Sequence, residues 1–290
     1  MSPTAPAVFG VGSEAPVVEV DLAALDDAEA PAAAAFLARH RPGEGAPLAV
    51  VIAAYDEEAS IASVVTALPA QAGGLALEVI VVVDGAHDAT AAVAAGAGAL
   101  VCDVAVNRGQ GAALRLGYFL ARARGARVIA TTDADGQYDA SELSRVVAPV
   151  VEGTADFVSG SRRLGDELTT DRFRHAGVVL FGLVISVLTG QRVTDPACGL
   201  RAMRTEVTGA VTLRQPQYQA SELMISTALA GYRLAEVPIT MRPRSAGTTK
   251  KGGNFLYGVR FTRVVLGTWW RDRGASGGGL PWRSAKITSS

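Results

Sequence analysis

From Leu48 onward the chain alternates short β-branched runs with alanine-rich stretches of helical period. LAVVIAAY (48–55), LEVIVVV (77–83), ALVCDVAV (99–106) and RVIATTD (127–133) read as strands, and 57–68, 88–97 and 110–124 as the helices between them. That rhythm implies a parallel sheet with crossover helices. Ligands bind such sheets beyond the carboxyl ends of the strands, and polar residues cluster there: Asp56 and Glu58, Asp84 and Asp88, Asn107, then Asp133 and Asp135. Asp88 is expected to cap the helix that follows it. After the fourth strand, Asp139 with Glu142 three residues on makes a capping-box pattern ahead of Leu143, Val146, Val147 and Val150. The next strand, ADFVSGSR, ends in Arg162.

The ends of the chain differ from this middle. Residues 1–46, rich in Ala, Pro, Gly and acids, are expected to be an irregular or partly helical lead-in, and 274–290 a flexible tail, leaving 47–273 as one domain.

Composition narrows the class. With 290 residues, 49% apolar and 19% charged, the chain has the make-up of a globular protein with a substantial core. A net charge of −1 supplies no global field for nucleic acid. Locally, however, Arg233, Arg242, Arg244, Lys250, Lys251, Arg260, Arg263, Arg271 and Arg273 face only Glu236 and Asp272, which suits an anionic ligand or an anionic membrane surface. The two cysteines, Cys102 and Cys198, stand outside any CxxC spacing, so the sequence points away from zinc and towards a reducing cytoplasm. MSPTAPAVFG lacks the pattern of a secretory signal. The most apolar stretch, 176–189, is shorter than the roughly 20 residues that span a bilayer, which leaves a buried or an interfacial helix. His40, His87 and His175 form no cluster and are assigned no metal.

TTDADGQY carries the central candidate chemistry. Asp133 and Asp135, one residue apart at a strand mouth, can aim the same way, and a turn at Gly136 can bring Gln137 round as a third oxygen. Mg²⁺ or Mn²⁺ is the cofactor such hard ligands imply, with substrate phosphates completing the shell. The competing reading is a solvated Asp-Gly turn.

AAYDEE (53–58), VVVDGAHDAT (81–90), NRGQGAAL (107–114), DADGQ (133–137), GSR (160–162), TDPACGLRAM (194–203) and EVPITMRPRSAGTTK (236–250) occur in the order found in family 2 glycosyltransferases, and the chain resembles their dolichyl- or polyprenyl-phosphate sugar synthase branch. The resemblance spans roughly Leu48 to Lys251. It implies an α/β fold of the GT-A nucleotide-diphospho-sugar transferase type, Rossmann-like, with a mostly parallel central sheet. It also implies a UDP- or GDP-sugar donor held by Ala54, Tyr55, Asp56, Glu58 and Asp84, by Asn107, Gly109 and Gly111, and by Asp133, Ala134 and Asp135. Arg162 and Arg174 would take the acceptor phosphate or the donor diphosphate. Arg244 and Lys250, in a loop like the family's Arg-x-x-Gly-x-Ser-Lys, would neutralise the leaving diphosphate. Asp195 and Glu222 are candidate bases for a hydroxyl acceptor, whereas an ionised phosphate needs none.

The residues also admit plainer roles. Glu58 suits a helix N-terminus, the glycines of NRGQG a tight turn into a helix, Asp195 a turn before proline, and 244–250 a solvated basic loop. Two departures from the family leave the base open: Val83-Asp84 replaces its usual acid pair, and Asp56 its commoner Asn.

The expected reaction is a single displacement at the anomeric carbon, with inversion. The first acceptor is a polyprenyl phosphate, with NFLYGVRFTRVVLGTWWR (254–271) lying along a membrane as a peripheral contact or packing as an ordinary helix. The alternative is a hydroxyl on a soluble or polymer acceptor. A sugar-nucleotide pyrophosphorylase would need a glycine-rich basic loop where AAYDEE stands, and a non-catalytic sugar-nucleotide-binding protein would not need DADGQ intact.

Overall fold

The computed structural model describes residues 20–165, 172–243 and 254–274. Its strands are β1 (Leu48–Ala54), β2 (Gln71–Ala72), β3 (Leu75–Asp84), β4 (Leu100–Val104), β5 (Val128–Thr131), β6 (Phe157–Ser161), β7 (Arg201–Arg204) and β8 (Leu234–Pro238). Its helices are α1 (Ala30–Arg39), α2 (Ile61–Ala67), α3 (Thr90–Gly96), α4 (Gln110–Arg124), α5 (Leu143–Val151), α6 (Arg172–Thr189), α7 (Thr205–Ala210), α8 (Gln219–Leu229) and α9 (Asn254–Asp272).

One sheet runs β4-β3-β1-β5-β7-β6-β8, with β2 folded back on the start of β3. β4, β3, β1 and β5 are parallel, β7 runs against both β5 and β6, and β8 is parallel to β6. The carboxyl ends of six strands and the beginning of β7 therefore share one edge. Central β1 divides its side chains between two cores. Val50 and Ile52 join Val64 of α2 and Val146, Val147 and Val150 of α5, while Ala49 and Val51 join Leu116 and Leu120 of α4 and Leu223 of α8. Two apolar faces on one strand are what its unbroken run of V, I and A requires.

Local departures from the sequence reading have identifiable causes. Asp139 accepts from the Ser141 N–H at 3.0 Å, but Glu142 does not complete a reciprocal box. Its carboxylate goes instead to the Thr240 N–H at 2.8 Å and to Arg145, drawn by the segment that follows β8. The expected face of α5 is fully buried all the same. α2 begins at Ile61 rather than 57, because residues 57–60 form a turn in which the Glu57 N–H donates to the Thr90 hydroxyl oxygen at 2.8 Å. Within the lead-in, α1 lays Ala33 and Phe36, both fully buried, against β4 and α4. At the opposite end of the sheet, α6 and α9 pack together through Phe181 and Phe261, ring centroids 4.2 Å apart, and Trp269 Nε1 donates to the Leu188 carbonyl at 3.1 Å.

Candidate active site

The loops after β1 and β3 are laced to each other. Asp56, at a left-handed φ of 49°, accepts the His87 N–H at 2.7 Å. Glu58 accepts the Ala89 N–H at 2.9 Å while its own N–H donates to Asp88 at 3.2 Å, and Asp88 accepts from Thr90 at 3.0 Å to start α3. Glu58 thus sits at a helix N-terminus, that of α3 rather than its own α2. Ala54 is buried at the end of β1. Tyr55 meets His87 edge-on at 6.1 Å, and the neighbouring Asp56 carboxylate raises its phenol above the ordinary range.

Asp84 and the 107–111 turn form a second unit. Asp84, only 3% exposed, accepts from the Arg108 N–H at 2.8 Å and the Gly109 N–H at 2.7 Å. On the other side, the Gly111 N–H donates to the Pro216 carbonyl at 2.8 Å. A Cβ on Gly111 would lie 2.0 Å from the Gln215 carbonyl oxygen, and Gly109, at φ +93°, would place one 2.8 Å from that of Pro216. Both glycines answer to the chain's own backbone, which is the tight turn into a helix that the sequence also admits. Asn107 stays exposed beside them.

The acidic tip lies at the mouth of β5, between these units and β7. Asp135 is buried and accepts the Gln137 N–H at 3.1 Å across the Gly136 turn, whose φ is 71°; Ala134 between the acids is buried too. Asp133 is half-buried and accepts from Gln110 Nε2 at 3.2 Å. Gly199 makes room for it, since a Cβ there would stand 2.6 Å from the carboxylate. Gln137 takes a different place from the one expected of a third ligand: its amide donates to the Arg242 carbonyl at 3.1 Å and ties the tip to the segment after β8. Thr132, Asp133, Gly136, Tyr138 and Arg242 line a cleft of about 420 Å³ walled opposite by Val64 and Ala67 of α2 and by Leu68 after it.

These residues fit a hard divalent cation. Two carboxylates one residue apart, one of them fixed by a backbone N–H and the other seated against a bare Cα, leave most of the shell to phosphate oxygens and water. No group of three or more His, Cys, Asp or Glu offers a rival site among the described residues.

Two carboxylates expected to act as bases are instead locked. Asp195, fully buried, receives Arg162 Nε and Nη2 at 2.6 Å each, together with the Arg162 N–H at 3.1 Å. Burial opposes the Arg162 charge, yet these bonds outweigh it and raise the guanidinium's pKa. Arg162 is itself 7% exposed, with Nη1 on the Met241 sulfur at 3.4 Å, so it presents no open fork to a phosphate. Glu236 holds the Thr194 and Asp195 N–H groups beneath the pair, its nearest contact 2.8 Å, and burial pushes its pKa up. Glu222, also fully buried, accepts from the Arg214 and Gln215 N–H groups at 3.0 and 2.9 Å and from Arg271 at 2.8 Å. A carboxylate saturated by a cation and backbone amides is a holder of structure, since protonating it would break what it holds.

Sequence reasoning missed Gln110 on Asp133 and half-buried Tyr138, whose hydroxyl accepts the Gly199 N–H at 2.7 Å. Both stand inside or beside motifs already singled out, and the strand order is what sets them against the acids. Arg244 and Lys250 lie outside the described residues, and Arg174 is placed only as a position in the first turn of α6.

A sheet of this order with two acids at the mouth of a central parallel strand defines a nucleotide-sugar transferase fold of the GT-A type. The chain belongs to glycosyl transferase family 2, whose sequence profile matches residues 49–211. It is similar to the dolichyl-phosphate hexose transferase of Haloferax volcanii, 35% identical over 222 residues that make up 76% of this chain and 94% of that one. It is also similar to the undecaprenyl-phosphate mannosyltransferase of Micrococcus luteus, at 31% over 56% of this chain and 69% of that one. Its similarity therefore lies with the polyprenyl-phosphate sugar transferase branch. Among solved structures, glucosyl-3-phosphoglycerate synthase from Mycobacterium tuberculosis with Mn²⁺, UDP and glucosyl-3-phosphoglycerate superposes with a TM-score of 0.59 at 21% identity, over 83% of each chain.

Proposed function

We propose that this glycosyltransferase moves a sugar from a nucleoside diphosphate to a polyprenyl phosphate at a membrane surface. The observation that carries the choice of acceptor is the locking of Asp195 and Glu222, each fully buried and bound by an arginine and backbone N–H groups. A hydroxyl nucleophile needs a base to take its proton, and neither residue is placed to act as one; an ionised phosphate attacks without one. Two named relatives, a dolichyl-phosphate hexose transferase and an undecaprenyl-phosphate mannosyltransferase, support the same choice.

In this reading the Tyr55–Glu58 loop and the 107–111 turn, seated on Asp84, receive the nucleoside. Asp133 and Asp135 would hold a divalent cation, which supplies charge neutralisation for the departing diphosphate. Arg244 and Lys250 would neutralise that diphosphate and Arg174 the acceptor phosphate, the roles the resemblance implies for them. Asp195 keeps Arg162 immobile. One displacement at the anomeric carbon inverts its configuration. The lipid tail runs beside α6 and α9, where Leu180, Leu183, Val187, Leu266 and Trp270 are exposed.

The test is transfer of radiolabel from UDP- and GDP-sugars, with Mn²⁺, to a short polyprenyl phosphate. Label in the organic phase, lost in excess chelator and in Asp135→Asn, is the expected outcome. Label confined to a water-soluble hydroxyl acceptor overturns the acceptor, and undiminished transfer in chelator overturns the role of the acidic tip.

A further inference from the structure

The family profile begins at residue 49, yet α1 and the turn before it reach the donor side of the sheet. Asp26 uses its two carboxylate oxygens for separate tasks. Oδ1 accepts the Ala28 and Glu29 N–H groups, each at 3.0 Å, and so starts α1. Oδ2 meets Arg108 Nη2 at 2.7 Å. Arg108 is also the residue whose N–H is held by Asp84, and Glu29, Asp84 and Arg108 line one small recess. The base of this arm is firm, because Phe36 and Ala33 are fully buried against the edge strand β4.

We infer that the N-terminal arm is a working part of the donor site: Asp26 is a positioning residue that fixes the Arg108–Gly109 turn through the Arg108 side chain. The turn is then held on three sides, by Asp84 below, by Pro216 outside and by Asp26 from an element beyond the family region. Without the third contact, the Arg108 side chain is free to swing and two adjacent backbone N–H groups lose part of their restraint. The inference rests on the reading that residues 107–111 meet the donor nucleotide.

The two tasks of Asp26 make a clean substitution possible. Asp26→Asn keeps an oxygen for the Ala28 and Glu29 N–H groups and replaces the acceptor facing Arg108 with a donor. UDP and GDP, each with Mn²⁺, serve as probes by titration calorimetry on the full chain, and amide hydrogen exchange is followed at Arg108 and Gly109. Asp26→Asn is expected to weaken nucleotide binding about two- to five-fold, the range a partly exposed ion pair carries, and to speed exchange at both amides with an unchanged melting temperature. In an Arg108→Ala background the same substitution should change neither the exchange nor the binding further. Wild-type values in Asp26→Asn, or an equal penalty in both backgrounds, would overturn the inference. Should wild type bind neither nucleotide, the donor-site reading fails by itself and the exchange rates alone decide whether Asp26 restrains the turn.

Discussion

Single side chains in this protein divide by whether they hold backbone or face a ligand, and the difference is visible only in three dimensions. The acids at strand ends were legible in the sequence as a set, because a parallel sheet must deliver them to one edge. The duties of individual acids were not: Asp84 at a strand end, and Asp195 and Glu222 away from that set, are taken up by backbone amides and arginines that lie between 7 and 49 residues away. Asp156, read only as the start of a strand, shows what such a holder does. It accepts Arg233 Nη2 and Nε at 2.9 and 3.0 Å and the Arg233 N–H at 2.9 Å, bracing the start of β8. The Arg233 hydrogen bonds hold its pKa below the ordinary carboxylate range. A depressed folded-state pKa contributes stability that is complete above the unfolded value, about 3.9, and fades as pH falls through the lower folded value. Because Arg233 is 46% exposed, solvent limits the effect to about 1 kcal/mol. Denaturant unfolding of wild type and Asp156→Asn should therefore differ by that amount at pH 7 and converge below about pH 4. A difference unchanged at pH 2 would show that the carboxylate's charge is not what matters.

At the scale of elements, β1, β3, β4 and β5 and the helix at 110–124 were readable because each is a largely apolar run or a clear helical period between polar ends. β7, β8 and the β2 hairpin were not. Their places depend on partners far along the chain, as when Arg201 of β7 falls opposite Thr131 of β5. The link from α9 to the donor side is likewise a matter of tertiary placement. Arg271 of α9 grips Glu222 of α8, Glu222 holds the N–H groups of Arg214 and Gln215, and the adjacent Pro216 carbonyl receives Gly111. Removing one partner of a buried ion pair strands the others, at a cost of about 3 kcal/mol. Glu222→Ala should accordingly lower unfolding stability by about that much, with Arg271→Ala doing part of the same damage and the double substitution costing less than the sum. A Glu222→Ala protein with wild-type stability and no turnover would instead return Glu222 to the role of base.

For the whole molecule, the question is how a chain with no described helix long and apolar enough to cross a membrane would reach the lipid acceptor proposed for it. Both faces of the sheet bury their apolar residues, but α6 and α9 leave a ridge uncovered: Leu180, Leu183 and Val187 on one, Leu266 and Trp270 on the other, between 47% and 75% exposed. Positions 183 and 187 share one helical face, so these are not scattered surface residues but a stripe. Around it stand exposed Arg260, Arg263 and Arg273, with the Arg273 guanidinium stacked 3.3 Å from the Trp270 ring centroid. An apolar stripe with an arginine rim fits an anionic bilayer, each basic residue near the surface contributing about 1 kcal/mol that salt screens and each apolar side chain a part that salt does not. Sedimentation with vesicles should separate the two terms. Binding to phosphatidylglycerol vesicles should exceed binding to phosphatidylcholine and weaken as salt rises, whereas Leu183→Glu with Val187→Glu should weaken binding about a hundred-fold or more at every salt concentration, given roughly 1.5 kcal/mol or more for each of the two apolar side chains returned to water. If the double variant sediments like wild type, the ridge is not the membrane face, and the lipid must approach the acidic tip from another side of the sheet.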